Sequence, residues 1–462
     1  MRVLAMILAG GEGKRLFPLT AERAKPAVPF AGKYRIIDFA LSSFINSGIY
    51  AVYVLTQFKA QSLVEHLQEG WQFGGILSDH FVIPVPAQMR RGRVWYRGTA
   101  DAVYQNLHLI RRAGPEYVAV FGADHVYRMH VGQMLDFHEA KRADVTVAAR
   151  PVPLAEAKAF GVLTVDQDCR IIGFAEKVRN PPPIPGQPDL AFASMGNYLF
   201  RPDLLMEALE ADASQDTAHD FGRDIIPSLI RRRRVYAYDF RHNRIPGVLP
   251  GGDPTYWRDV GSIEAYFDAH MELLGERPPL NLRNRHWPIR TATYSDPPAA
   301  ILRMDGSGVE NSLLAEGCAV LGGVVRNAVL GRNVVVHRGA IVEVAVVNDW
   351  AEIGEGARVR RAILDKGAVV SPAARIGYDG EAGGRSYHVS ETGITVVPRA
   401  PLHPPPKAAT ALAGLSGQGE LFCFAQHGGD HPGWVGGPVL DSREDACMPT
   451  RGSSDSLHVG LG

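Results

Sequence analysis

From residue 329 the chain places aliphatic residues at a six-residue step: Val329, Val335, Ile341, Val347, Ile353 and Val359. Leu364, Val370 and Ile376 continue the series after a slip of one residue, with small residues and turn formers between them. Few folds accept such a repeat. The pattern predicts a parallel β-helix over residues 309–400, in which each aliphatic side chain stacks inside one prism. Residues 1–274 read differently. Val3–Leu8, 51–55 and 117–121 are short apolar runs, and helical patterns such as 62–68 and 102–111 lie between them. That alternation predicts an α/β domain with a mostly parallel sheet covered by helices on both faces. In such sheets ligands sit beyond the carboxyl ends of the strands. Residues 275–308, rich in Pro, Arg and Asn, read as a linker. Residues 401–462 open on a proline run and lack periodicity, so they read as a disordered tail. Cys423, His427, His431 and Cys447 of that tail match no common zinc spacing.

Composition narrows the function classes. The 462 residues carry 49 basic and 49 acidic side chains, so no surplus of positive charge favours nucleic acid or a membrane surface. The basic run 231–234 reads as a solvated helix end. Four scattered cysteines suit a reducing compartment better than a disulfide framework. The apolar run at the start is too short for a secretory signal or a membrane span. A cytoplasmic location is the expectation.

The first strand ends in Ala9-Gly10-Gly11-Glu12-Gly13-Lys14-Arg15. Glycines there let backbone N–H groups approach a phosphate. The stretch is not a Walker loop, because Arg15 follows Lys14 where Ser or Thr is needed. Further segments follow in order: Arg23-Ala24-Lys25-Pro26, Arg35-Ile36-Ile37-Asp38-Phe39, Trp95-Tyr96-Arg97-Gly98-Thr99-Ala100-Asp101, Gly122-Ala123-Asp124-His125, Ser194-Met195-Gly196-Asn197-Tyr198, His219-Asp220-Phe221-Gly222 and Tyr256-Trp257-Arg258-Asp259. Together they resemble the nucleotide-sugar pyrophosphorylases, and among these the bacterial glucose-1-phosphate adenylyltransferases. The resemblance runs from about residue 3 to about residue 400 and leaves out the tail.

The resemblance implies a Rossmann-like nucleotidyltransferase domain followed by a left-handed β-helix. It also implies the reaction of ATP with glucose 1-phosphate to give ADP-glucose and pyrophosphate, with Mg²⁺, in support of glycogen synthesis. It assigns Arg15, Lys25 and Asp124 to catalysis, and Asp124 with Asp259 to the metal. Leu8, Ala9, Gly10, Gly11, Gly13, Gln57, Gln88, Gly98, Thr99 and Asp101 would hold the nucleotide. Tyr96, Gly161, Glu176, Lys177, Ser194, Tyr198, Asp220, Phe221 and Trp257 would hold the sugar phosphate. Val178 stands where the family has Pro after the Glu-Lys pair, which softens the local turn.

A homotetramer controlled by sugar-phosphate effectors is also implied, with Arg23 and Arg35 as candidate effector ligands. Glu22 occupies a position where some relatives carry an activator-binding Lys. Three other readings compete. They are a nucleotidyltransferase for UTP, dTTP or GTP, a non-catalytic regulatory subunit, and an acyltransferase built on the β-helix. The second would be signalled by loss of Arg15, Lys25, Asp124 or Lys177, all of which are present. The third would rest on His337 alone and leave the first domain unexplained.

Overall fold

In the computed structural model, residues 2–73, 79–90, 92, 94–248, 252–304, 306–378 and 387–399 are described. The expectations for residues 401–462, including the four candidate zinc ligands, lie outside them.

The apolar run Val3–Leu8 is the central strand of a nine-stranded sheet. It pairs in parallel with Ala51–Thr56 on one side and Tyr117–Gly122 on the other. Phe81–Pro86 adds a further parallel strand beyond Ala51–Thr56. Beyond Tyr117–Gly122 the long strand Leu190–Phe200 runs antiparallel, and it pairs with Val145–Pro153 and Gly161–Val165. Alternate side chains of the first strand feed opposite cores. Leu4 and Met6 belong to one apolar cluster, and Val3, Ala5 and Ile7 to another. Both faces are therefore buried, as a near-continuous apolar strand requires. The chain leaves Val3–Leu8 toward one neighbour and returns later to the other. That reversal of strand order opens a crevice at the carboxyl ends of Val3–Leu8 and Tyr117–Gly122. The glycine turn and Asp124 both follow those ends.

The helix expected at 62–68 is Gln61–Gly70. The one expected at 102–111 is two helices, Thr99–Tyr104 and Leu107–Ala113. Asn106 breaks it. Its side chain donates to the Ala102 carbonyl at 2.8 Å, competing with the helical backbone.

The second domain is a three-faced prism of parallel strands, consistent with the expected left-handed β-helix. One face stacks Ala300–Leu302, Ala319–Leu321, Val335–Val336, Glu352–Ile353 and Val369–Val370. The strands Val324–Leu330, Ile341–Val347 and Arg358–Leu364 each supply both other faces, bending at Asn327, Val344 and Arg361. Those three residues sit at φ 47°, 48° and 48°, in the left-handed region. The first strand, Ala300–Leu302, lies within the stretch expected as linker.

The six-residue step needs correction. Val325 pairs with Val342 and Val342 with Val359, and Leu330 pairs with Val347 and Val347 with Leu364. One turn is therefore 17 residues, not three steps of six. The slip recurs at every left-handed corner, which turns the chain in five residues. The interior is lined by Val325, Leu330, Val336, Val342, Val347, Ile353, Val359, Leu364, Val370 and Ile376. Val329, Val335 and Ile341 stand one residue out of phase and lie outside that core.

Val346, Ile363 and Val396 of the prism pack against Phe30, Phe39 and Tyr266 of the first domain. Across this seam the Arg23 guanidinium makes two hydrogen bonds to Asp365, at 2.8 and 3.0 Å, with both side chains buried. His270 Nε2 accepts from the Ala31 backbone N–H at 3.0 Å.

Candidate active site

The crevice is a cavity of about 750 Å³. Its walls include Leu8, Gly10, Gly11, Gly13, Arg15, Lys25, Gln57, Tyr96, Gly98, Thr99, Asp124, Glu176, Tyr198, Asp220 and Phe221. These residues come from eight separate stretches of chain and meet because the strands end together.

The electrostatic centre is Lys25. Its side chain is 7% exposed, and Nζ donates to Asp124 Oδ2 and Asp259 Oδ1, each at 3.0 Å. Burial opposes the ammonium charge, but the two carboxylates outweigh it and hold the Lys25 pKa above its usual value. Burial likewise opposes ionisation of Asp124. His125 and Lys25 prevail, and the carboxyl lies well below the ordinary range. Arg15 Nη2 lies 3.8 Å from Asp259 Oδ2, on a side chain open to solvent. Asp259 arrives on Trp257–Asp259, which pairs antiparallel with His125–Tyr127 directly after Asp124. The motif containing Asp259 thus joins the motif containing Asp124 through a two-stranded ribbon.

Asp124, His125 and Asp259 each offer a ligand atom, all within 4.8 Å of one another. Two carboxylates around one point suit a hard divalent cation that also takes phosphate and water oxygens. The residues present therefore fit the metal that the motifs imply. The motifs assign His125 no role. Its only signal was adjacency to Asp124.

The glycine turn is built for close approach. Gly13 has φ +64°, and a Cβ there would stand 2.9 Å from Lys25 Cβ. The Gly13 carbonyl accepts from Thr20 Oγ1 at 3.0 Å. Gly98 is equally constrained, since a Cβ would fall 2.3 Å from the carbonyl oxygens of Ala218 and His219. That contact docks the Thr99–Tyr104 helix onto the Asp220 loop. Thr99 Oγ1 donates to Asp220 Oδ2 at 2.8 Å and accepts from the Phe221 N–H at 3.0 Å. Asp220 Oδ1 caps the turn by accepting from the Gly222 and Arg223 N–H groups.

On the opposite wall Tyr198 stacks on Phe221, with centroids 5.4 Å apart. Burial, and then Asp220, push its phenol pKa upward. Burial and Asp220 also raise the Glu176 carboxyl. Gly161 faces Glu176 in register, and a Cβ at Gly161 would come within 2.8 Å of Glu176 Oε1. Tyr96 OH accepts from Asn106 Nδ2 at 2.9 Å.

Several expected residues do different work. Asp101 is buried and accepts from the Arg97 N–H, the Arg97 guanidinium and Gln105 Nε2. It organises its loop and does not line the crevice. Gln57 does line it, but its amide is doubly engaged with the Tyr96 backbone, at 2.6 and 3.3 Å. Gln88 is exposed and accepts from Arg90 Nε, away from the lining. Lys177 is exposed at φ 51° and likewise stands outside the lining residues. Ala9 is buried beneath the turn. Trp257 is buried behind Asp259, with its ring 4.8 Å from that of His125. Ser194 accepts from the Gly196 N–H at 3.3 Å, next to the wall formed by Gly196 and Tyr198. Arg23 is consumed by Asp365, and Arg35 donates to the Ala27 carbonyl at 3.0 Å. Glu22 lies 3.5 Å from Arg399, and His337 lies 2.8 Å from Glu352 on the prism surface.

A parallel sheet ending in a glycine turn, with a buried lysine between two aspartates, defines a nucleotidyltransferase. The family of nucleotidyl transferases matches residues 4–276, and the GlmU-like C-terminal hexapeptide family matches residues 297–397. Relatives named glucose-1-phosphate adenylyltransferase align over nearly all of their own length. The one from Thermus thermophilus is 54% identical over 86% of this chain and 98% of its own. Those from Deinococcus radiodurans and Photobacterium profundum are 51% and 50% identical over the same shares. The chain belongs to the glucose-1-phosphate adenylyltransferase family.

Proposed function

We propose that the chain transfers the adenylyl group of ATP to glucose 1-phosphate, forming ADP-glucose and releasing pyrophosphate for α-glucan synthesis. The observation that carries this reading is the Lys25–Asp124–Asp259 cluster set against the glycine turn. A phosphate oxygen of glucose 1-phosphate attacks the α-phosphorus of ATP. The new O–P bond forms as the bond to the β-phosphate oxygen breaks, and pyrophosphate departs. The nucleophile is already an anion near neutral pH, so no general base is required. Catalysis is positioning plus cationic stabilisation. Backbone N–H groups of the turn from Gly10 to Gly13 approach the triphosphate. Arg15 and Lys25 bring positive charge to the phosphoryl oxygens. Mg²⁺, when held by Asp124 and Asp259, supplies further positive charge to those oxygens.

Glu176, Tyr198 and Asp220 orient the glucose from the opposite wall. Thr99, which shares the Asp220 carboxylate, ties the nucleotide side to the sugar side. Homotetramer assembly, control by sugar phosphates and a cytoplasmic setting accompany this reading as the family's habit. No helix among the described residues is long and apolar enough to cross a membrane.

The test is pyrophosphate release from the full chain with Mg²⁺, glucose 1-phosphate and each nucleoside triphosphate in turn. Release with ATP, abolished in Asp124→Asn, is the expected result. Preference for UTP, dTTP or GTP would replace the substrate while keeping the chemistry. No release with any nucleotide would point to a non-catalytic subunit.

A further inference from the structure

Thr99 on the nucleotide side of the crevice and Asp220 on the sugar side share a residue behind them. His219 precedes Asp220 and sits at φ 51°, in the left-handed region that few residues with a β-carbon occupy. Its carbonyl accepts at 2.7 Å from the Ala100 N–H, one of the free donors at the start of the Thr99–Tyr104 helix. A Cβ at Gly98 would strike the same carbonyl oxygen. Left-handed backbone of this kind persists where its surroundings over-determine it. Here they hold the ring. His219 is buried, and its Nδ1 lies 2.7 Å from Oδ2 of Asp212, a buried residue in the last turn of the helix Pro202–Ala213. A carboxylate only accepts, so Nδ1 carries the proton and donates. Thr217 closes the cluster. Its hydroxyl donates to Asp212 Oδ1 at 2.7 Å and accepts from the His219 backbone N–H at 3.2 Å. The Thr217 proton is thereby committed to Asp212, and Asp212, Thr217 and His219 all stand outside the crevice lining. The cluster is an anchor, not a nucleophile beside its base.

We propose that Asp212 and His219 are positioning residues for the adenylyl transfer. Asp212 pins the His219 ring, the ring holds the backbone in its left-handed turn, and the turn fixes Asp220 and the Thr99 helix relative to each other. The Thr99 Oγ1–Asp220 Oδ2 bond of 2.8 Å spans that joint. One buried carboxylate that touches neither substrate thus sets the alignment of the nucleotide side with the sugar side, where small displacements weigh heavily on binding and rate. The proposal rests on the adenylyltransferase reading and extends it to two residues outside the crevice. ADP-glucose lies across both sides and depends on the clamp. Pyrophosphate meets the glycine turn, Arg15 and Lys25, and does not depend on it.

The test is run in the reverse direction, with ADP-glucose and pyrophosphate as substrates and the full chain as enzyme, beside a thermal melt of each variant. His219→Gly tolerates the left-handed backbone but has no ring to pin. It should raise KM for ADP-glucose by about tenfold and leave KM for pyrophosphate within about twofold. Asp212→Ala should do the same, and Asp212→Asn, which keeps an acceptor oxygen, should recover part of the loss. Asp212→Ala and Asp220→Asn should be non-additive in kcat/KM for ADP-glucose, because one acts through the other. Thr217→Val removes the linking hydroxyl with little change of shape, and it carries the test if the larger changes do not fold. It should raise KM for ADP-glucose selectively by about threefold. An unchanged KM for ADP-glucose in every folded variant would overturn the clamp. So would an equal rise for both substrates, or full additivity with Asp220→Asn. A wild-type chain that forms no ATP from ADP-glucose and pyrophosphate would instead overturn the underlying reading, so the two failures are distinguishable.

Discussion

At Gly13 two constraints coincide. The backbone lies at φ +64°, and a Cβ would press on Lys25 Cβ at 2.9 Å and Thr20 Cγ2 at 3.1 Å. Gly13→Ala should cost about 1–3 kcal/mol in backbone strain and push Lys25 from between its aspartates. Pyrophosphate release should fall by at least about tenfold, since small displacements of a positioning group weigh heavily on the rate. Steady-state kinetics beside a thermal melt would check it, and unchanged kcat/KM would mean that Lys25 does not depend on this turn. Residue-level legibility was uneven. Arg15, Lys25, Asp124 and Asp259 stand in dense motifs, and the fold brings them together. Asp101 stands in an equally dense motif yet faces inward, because its oxygens accept from Arg97 and Gln105.

The helix Ile263–Met271 carries a pH-sensitive joint. His270 is fully buried, its Nδ1 meets the Tyr266 carbonyl at 2.8 Å, and its Nε2 accepts from the Ala31 N–H. The ring is therefore neutral, and burial lowers its pKa to about 4. The unfolded chain binds this proton near the ordinary value of about 6.5, so between the two values the unfolded state holds more protons. Stability is complete above about pH 6.5 and falls as the pH drops toward 4, by an order of ~3 kcal/mol from this group. His270→Gln, which can still accept from Ala31, should flatten the stability–pH slope in that window by about one proton. An unaltered slope in chemical denaturation from pH 7 to pH 4 would refute the assignment.

The prism offers a second element-scale test. Ile353 points into the stack between Val336 and Val370, whereas Ile341 stands outside it and is partly exposed. Ile353→Ala should destabilise by about 2–5 kcal/mol. Ile341→Ala should cost about 1 kcal/mol or less, in proportion to its smaller buried area. Equal costs in urea denaturation would restore the strict six-residue phase.

For the molecule as a whole, the seam between the domains is apolar with one buried ion pair. Arg23 and Asp365 are 342 positions apart in sequence and almost fully enclosed. Breaking the pair by Arg23→Met or Asp365→Leu leaves one uncompensated buried charge and should cost about 3–5 kcal/mol. The double variant should cost much less than the sum of the two, and a double-mutant cycle in urea measures the difference. Additive costs would show that the two side chains do not act as a pair. The same pairing explains why Arg23, a candidate effector ligand from sequence, presents no free guanidinium.

The sequence by itself determined the two fold classes and the charged centre of the crevice. Strand and helix periods, the aliphatic repeat and the motif order are local properties, written within a few residues of each other. Only the tertiary structure decided the 17-residue turn, because the left-handed corners at Asn327, Val344 and Arg361 are a backbone response to stacking. It alone withdrew Asp101, Gln88 and Lys177 from the lining, and joined Asp124 to Asp259 through the ribbon at His125–Tyr127. It alone packed Arg15 and Asp259 over Gly261, where a Cβ would stand 2.8 and 2.7 Å from them. Side chains far apart in sequence meet there because separate strands end at one crevice, and no local pattern encodes that meeting.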